Sequence, residues 1–129
     1  MVKLNRIHHI AIICSDYSRT KDFYVNKLGL TVSAEVYRKE RNSWKLDLLV
    51  GERYQIEIFS FTNPPNRVSR PEACGLRHLA FEVENIFQVV EELKKSGIDC
   101  EAIRTDEFTG KKFTFFSDPD ELPLEIYEG

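Results

Sequence analysis

The 129-residue chain carries 18 Lys and Arg against 21 Asp and Glu, a formal net charge of −3, with 42% hydrophobic and 30% charged residues. That is enough chain for a core that needs no disulfide staples, and the acidic balance excludes the basic face that non-specific nucleic-acid binding requires. No apolar run approaches the roughly 18 residues of a membrane span and no signal-peptide pattern is present, while Cys14, Cys74 and Cys100 form no CxxC, so a reducing, cytoplasmic setting without membrane partners is expected.

In chain order, the β-branched run RIHHIAIIC (6–14) predicts a strand. Asp16 or Ser18 can cap a helix that carries Phe23, Tyr24 and Leu28 at helical spacing and stops at Gly29. Strands are predicted at 30–38 and 44–50 around the polar turn KERN, and at 54–59. Residues 60–75 hold Pro64, Pro65 and Pro71 and end in Gly75, which reads as a linker, since proline cannot donate to a sheet ladder. The pattern then restarts, with a strand at 76–83, an amphipathic helix at 85–97 ending in glycine, and strands at 99–104, 112–117 and 122–128. The expected organisation is one α+β domain over 1–129, made of module 1 (6–59), the linker (60–75) and module 2 (76–128), each module reading βαβββ.

The two modules align. An offset of 69 carries His9 onto His78, Ala11 onto Ala80 and Asp16 onto Asn85, and an offset of 68 carries Gly29 onto Gly97 and Glu57 onto Glu125. Each histidine falls in the first strand of its module and each glutamate in the last. Ile56 and Ile58 flank Glu57, and Leu124 and Ile126 flank Glu125, so strand alternation turns the apolar neighbours one way and the carboxylates the other. His8 has the opposite parity to His9 and reads as packing or surface. A carboxylate on a half-buried sheet face must be paired, hydrated or bound to metal. Two His and two Glu sharing one divalent cation satisfy that requirement, and mixed nitrogen and oxygen donors suit Ni, Zn, Co, Mn or Fe better than Ca.

The segments HIAIICSDYSRTKDFYVNKLGL (9–30), QIEIF (55–59), GLRHLAFEVEN (75–85) and DPDELPLEIYE (118–128) resemble the glyoxalase/bleomycin-resistance/dioxygenase superfamily, also called vicinal oxygen chelate, over nearly the whole chain. The resemblance implies two tandem βαβββ modules forming a cupped, barrel-like mixed sheet with helices outside. It also implies one divalent metal ion per site, held by His9, Glu57, His78 and Glu125, and a homodimer acting on a small-molecule substrate. The His-Glu-His-Glu order is similar to bacterial lactoylglutathione lyase (glyoxalase I). It implies a metal-dependent lyase or isomerase acting on a small α-oxo or α-hydroxy carbonyl compound, including a hemithioacetal, through an enediolate stabilised by the metal. Glu125 is then the catalytic base, with Glu57 as ligand or second base. The rival implications are a metal-free drug or metabolite binder of bleomycin-resistance type, a fosfomycin-type thiol transferase and an extradiol dioxygenase. Glu57 discriminates the last two, which commonly use two His and one Glu.

The chain departs from bacterial glyoxalase I in three places. Ile13 stands where that enzyme has an arginine used for glutathione, Phe61 replaces an asparagine four residues after the first glutamate, and Glu121 replaces the glycine of a DPDG turn. Further candidates for substrate contact are Tyr37, Arg38 and Trp44 at the cup mouth, Arg70 in the linker, and Lys111 and Phe113 in the turn leading to the seventh strand.

Overall fold

Alternating strands and two side-chain-capped helices give both halves of the chain the same order of elements. The computed structural model describes residues 1–129, which divide into two units, Met1–Pro65 and Asn66–Gly129. The first unit runs β1 (Ile10–Cys14), α1 (Tyr17–Lys21), β2 (Thr31–Arg38), β3 (Ser43–Val50) and β4 (Arg53–Ser60). Its sheet has the order β1-β4-β3-β2, with β1 parallel to β4 and the other pairings antiparallel. The second unit runs β5 (Leu79–Val83), α2 (Ile86–Lys95), β6 (Arg104–Thr105), β7 (Lys112–Ser117) and β8 (Pro123–Glu128), in the order β5-β8-β7-β6 with β5 parallel to β8. This is the expected α+β architecture of two βαβββ modules. Each sheet is four strands wide and not closed, so the barrel-like sheet takes the form of two open mixed sheets.

The helix signals act as read. Asp16 accepts a hydrogen bond from the Arg19 N–H and Asn85 accepts one from the Gln88 N–H, both at 3.2 Å, so the aligned pair Asp16/Asn85 is a pair of N-caps. The first helix continues past α1 with π-type bonding over Asp22–Lys27, where the Leu28 N–H reaches back to the Phe23 carbonyl. Gly29 follows at φ +77°, a conformation that costs a residue with a Cβ.

Alternation also sorts the core. In the first unit Leu46, Leu48, Ile56 and Ile58 are buried to 1% exposure or less, together with Tyr24 and Thr20 of the helix. In the second, Leu124, Ile126, Phe116 and Ile86 are buried, and α2 packs on β8. Each such side chain contributes about 1.5–3 kcal/mol on burial. The intervening residues of β3, β4, β7 and β8 are left to form the opposite face, which carries Glu57 and Glu125.

Two expectations are corrected. The strands predicted at 6–14 and 76–83 begin at Ile10 and Leu79, so His9 and His78 stand immediately before their strands rather than within them. The strand predicted at 99–104 is reduced to Arg104–Thr105, because Glu101 and Thr114 are joined by separate bonds instead: the Glu101 N–H donates to the Phe115 carbonyl at 3.0 Å and the Thr114 hydroxyl to the Glu101 carbonyl at 2.7 Å. Of the three cysteines, Cys14 is buried, burial pushes the half-buried Cys100 thiol up, and Cys74 is exposed.

The turn before β8 is organised by Asp118, whose Oδ1 accepts from the N–H groups of Asp120 (2.8 Å) and Leu122 (3.0 Å). Glu121 completes it at φ +68°, left-handed geometry that a residue with a Cβ adopts at a cost. Glu121→Gly is therefore expected to raise stability by about 0.5–1 kcal/mol, read as an increase of about 2–4 °C in the thermal unfolding midpoint.

Candidate metal centre

The parallel pairings set the site. In the first unit Ala11 lies opposite Glu57, and in the second Ala80 lies opposite Glu125. Each histidine sits two residues before that alanine, on the same parity, so it reaches over the small side chain towards the glutamate. His9 Nε2 is 3.5 Å from Glu57 Oε2, and His78 Nε2 is 3.4 Å from Glu125 Oε1. The glutamate side chains are 11% and 13% exposed, the histidines 39% and 27%, so the carboxylates lie deep and the imidazoles are open to solvent.

Two donors bound to one divalent ion at about 2.1 Å and spread by 90–110° lie roughly 3.0–3.4 Å apart. Both pairs are spaced close to that edge length and wider than ordinary hydrogen bonds, so the residues fit a nitrogen- and oxygen-ligated cation. Within each unit the donors form a pair, and no group of three or more His, Cys, Asp or Glu side chains gathers in one place.

Neighbouring residues aim these donors. His8 Nδ1 is 2.9 Å from His9 Nδ1, a bond that occupies one ring nitrogen of His9 and leaves Nε2 towards Glu57. Tyr54 stacks on the His9 ring at 5.7 Å between centroids. His8, read from the sequence as packing or surface, is exposed and is also a hydrogen-bond partner of His9. In the second unit Arg67 donates to the carbonyls of Leu76 (2.5 Å) and Arg77 (2.9 Å), fixing the segment that presents His78. Phe115 meets the His78 ring edge-on at 5.1 Å.

The pseudo-symmetry stops at the next strand. Asp47 lies opposite Glu57, and Lys45 on the same face is 2.6 Å from Asp47 and 3.8 Å from Glu57. Opposite Glu125 stands Phe115, followed on that face by Phe113 opposite Tyr127. One half-site is therefore ionic and the other aromatic. Lys45 and Asp47 were missed in the sequence, although the alternation WKLDLL already puts both on the face away from Leu46 and Leu48.

The predicted substrate contacts separate. Arg38 pairs with Ser43 and lies on the Glu57 face, its guanidinium over the Phe59 ring at 4.7 Å. Tyr37 pairs with Trp44 and both turn to the opposite face, where Trp44 stacks on Tyr17 at 5.1 Å. There Trp44, Tyr17, Lys21 and Glu35 border a groove of about 530 Å³ that none of the four His and Glu donors lines. Glu35 accepts from Lys21 at 2.8 Å and from Tyr17 at 2.5 Å; Lys21 chiefly holds its carboxyl below the usual range, and burial together with Glu35 pushes the Tyr17 phenol well up. Phe113 shares the Glu125 face, stacked on Tyr127. Arg70 and Lys111 are exposed, the first in the irregular segment after β4 and the second in the turn before β7.

Duplicated βαβββ modules, each with a four-stranded mixed sheet and a His–Glu pair, define a class of α+β protein. Residues 6–126 match the Glyoxalase/Bleomycin resistance protein/Dioxygenase superfamily, and the chain belongs to it. It is 62% identical over 125 residues to the uncharacterised protein YwkD of Bacillus subtilis, covering 97% of this chain and 98% of that one. It is 31% identical over 104 residues to the mitochondrial methylmalonyl-CoA epimerase of Homo sapiens, covering 74% of this chain and 56% of the epimerase. The crystal structure of a glyoxalase family protein from Enterococcus faecalis superposes with a TM-score of 0.89 at 54% identity, covering 96% of this chain and 98% of that one. No helix is long and apolar enough to cross a membrane.

Proposed function

We propose that the protein is a metal-dependent lyase or isomerase of glyoxalase type, acting on a small α-oxo or α-hydroxy carbonyl compound. His9, Glu57, His78 and Glu125 serve as the ligands of one divalent ion, Ni, Zn, Co, Mn or Fe, and the protein works in the cytoplasm as a homodimer. The observation that carries this reading is the recurrence of one His–Glu pair at 3.5 and 3.4 Å in the same register of two modules. The glutamate side chains are only 11% and 13% exposed, and a cation shared with the histidines would offset the cost of keeping those carboxylates there.

When bound, the metal supplies Lewis-acid polarisation of a substrate carbonyl. The chain's own residues then divide the remaining work. His9 and His78, aimed by His8 and Phe115, hold their Nε2 atoms towards the carboxylates. Glu57, flanked by Lys45, is the more committed of the two carboxylates. Glu125, whose neighbours are His78 and the Phe115 ring, takes the proton from the carbon next to the carbonyl and returns it. The likeness to a relative named as an epimerase favours the isomerase side, since an epimerase returns the proton to the carbon it left.

The test is a screen of protein reconstituted with each of the five metals against methylglyoxal with and without glutathione, other α-oxoaldehydes, thiols and 2-oxo acids. The expected result is turnover, or solvent deuterium entering the carbon next to the carbonyl, for one of these classes. Stoichiometric metal with neither signal across the screen overturns the enzyme reading and leaves a binding protein.

A further inference from the structure

The face that carries His9 and Glu57 also carries an arginine without an acidic partner. Arg38 is braced on three sides. Its guanidinium lies over the rings of Phe59 at 4.7 Å and Phe61 at 5.7 Å, and one terminal nitrogen donates to the Ser43 hydroxyl at 2.8 Å. Its Nε is buried and makes no hydrogen bond. The guanidinium has five N–H donors, and no carboxylate of this acidic chain is paired with it. Lys45, the cation nearer to Glu57, is already committed to Asp47 at 2.6 Å.

The second unit supplies an internal comparison. Arg104 lies over Phe113 and Phe115 at 4.8 and 5.8 Å, almost the same stacking, yet it is neutralised by Glu101 at 2.5 Å and is exposed. Stacking on two phenylalanines is thus common to both modules. What distinguishes Arg38 is a fixed, half-buried, uncompensated positive charge with an unsatisfied donor. Such a charge is expensive to keep unless an anion completes it.

Its position says where that anion sits. Phe59 follows Glu57 by two residues on the same face, about 6.7 Å along the strand. A group bound by the Arg38 guanidinium and a carbonyl beside the His9–Glu57 pair are therefore within reach of one small molecule. We propose that Arg38 is the anion anchor of this half-site. It binds carboxylate or phosphate oxygens on a substrate whose reacting carbonyl lies beside the His9–Glu57 pair. This rests on the carbonyl chemistry proposed above and narrows its substrate class to anionic α-oxo or α-hydroxy compounds.

The experiment titrates the full chain, with and without bound metal, with 2-oxoglutarate, dihydroxyacetone phosphate and neutral methylglyoxal, following affinity by calorimetry and the Arg38 Nε–H signal by NMR. The two anions are expected to bind more tightly than methylglyoxal and to move the Arg38 signal but not that of Arg104. The larger effect identifies the head group as carboxylate or phosphate. Arg38→Gln is expected to weaken anion binding about tenfold to a hundredfold, with metal content and methylglyoxal binding unchanged, and Arg104→Gln to change it less than twofold. Arg38→Lys should recover part of the loss, which a merely structural role does not predict. Equal small effects of Arg38→Gln and Arg104→Gln, or an Arg38 signal that no anion moves in the unmutated protein, overturn the proposal. Failure of the carbonyl-enzyme reading is separately visible, as metal-loaded protein that shows neither turnover nor deuterium exchange while Arg38 still responds to anions.

Discussion

His78→Ala is expected to leave the purified protein without its divalent metal, and His9→Ala to do the same. A four-donor site that loses one imidazole keeps only three ligands, two of them carboxylates, and the nitrogen donors are what favour a transition metal over Mg or Ca. The fall in affinity should exceed the 10- to 100-fold that follows loss of an outer-shell partner such as His8. Elemental analysis of protein prepared without chelator, followed by competition titration, measures it against about one ion per site in the unmutated protein. Because each histidine stands just outside its strand, neither substitution removes a sheet hydrogen bond or a core side chain. Folding by circular dichroism should therefore persist, with the unfolding midpoint lowered only by the lost metal linkage. Undiminished metal in both variants rules out the shared-ion model.

What the sequence disclosed follows from what is periodic in it. Glu57 between Ile56 and Ile58, and Glu125 between Leu124 and Ile126, announce their face because strand side chains alternate strictly. The offsets of 69 and 68 match histidine to histidine and glutamate to glutamate across the modules; that each histidine lies within 3.5 Å of its own module's glutamate is what the structure adds. The first N-cap was legible to within two candidates, Asp16 or Ser18, and the structure selects Asp16; Asn85, aligned with it in the repeat, caps the second helix in the same way.

Register across a turn was not legible. Tyr37, Arg38 and Trp44 were grouped at one cup mouth, but adjacent residues of a strand point apart, and only the turn decides which of them faces Glu57. That turn is a 3-10 segment over Lys39–Arg41 closed by Asn42 at φ +49°, which sets Arg38 opposite Ser43 and Tyr37 opposite Trp44. Nothing in KERN specifies this geometry over other short turns. The missed Lys45 shows a different failure: its parity was readable, but its role depends on Asp47 and on the β3–β4 register. Likewise no local signal ties Arg67 to the carbonyls of Leu76 and Arg77, because that clamp is formed by an irregular segment folding back on itself.

The difference between the two half-sites leads to the sharpest functional expectation. Glu57 shares its face with Lys45 and Asp47, so one of its oxygens already answers a cation at 3.8 Å as well as His9. Glu125 has Phe115 at the position corresponding to Asp47 and Phe113 at that corresponding to Lys45, and its polar contact is His78 at 3.4 Å. A carboxylate that must leave its contacts to receive a proton does so more readily where fewer charged partners hold it. Glu125→Gln keeps an oxygen donor but cannot take up the proton, so it is expected to lower substrate-carbon deuterium exchange and turnover by about 10²–10⁴-fold while much of the metal is retained. Glu57→Gln is expected to act chiefly on metal occupancy, with turnover per bound ion reduced far less. Measuring exchange per bound metal in both variants separates the roles. A larger loss per ion in Glu57→Gln than in Glu125→Gln would assign the base to the ionic half-site and make Glu125 the spectator ligand.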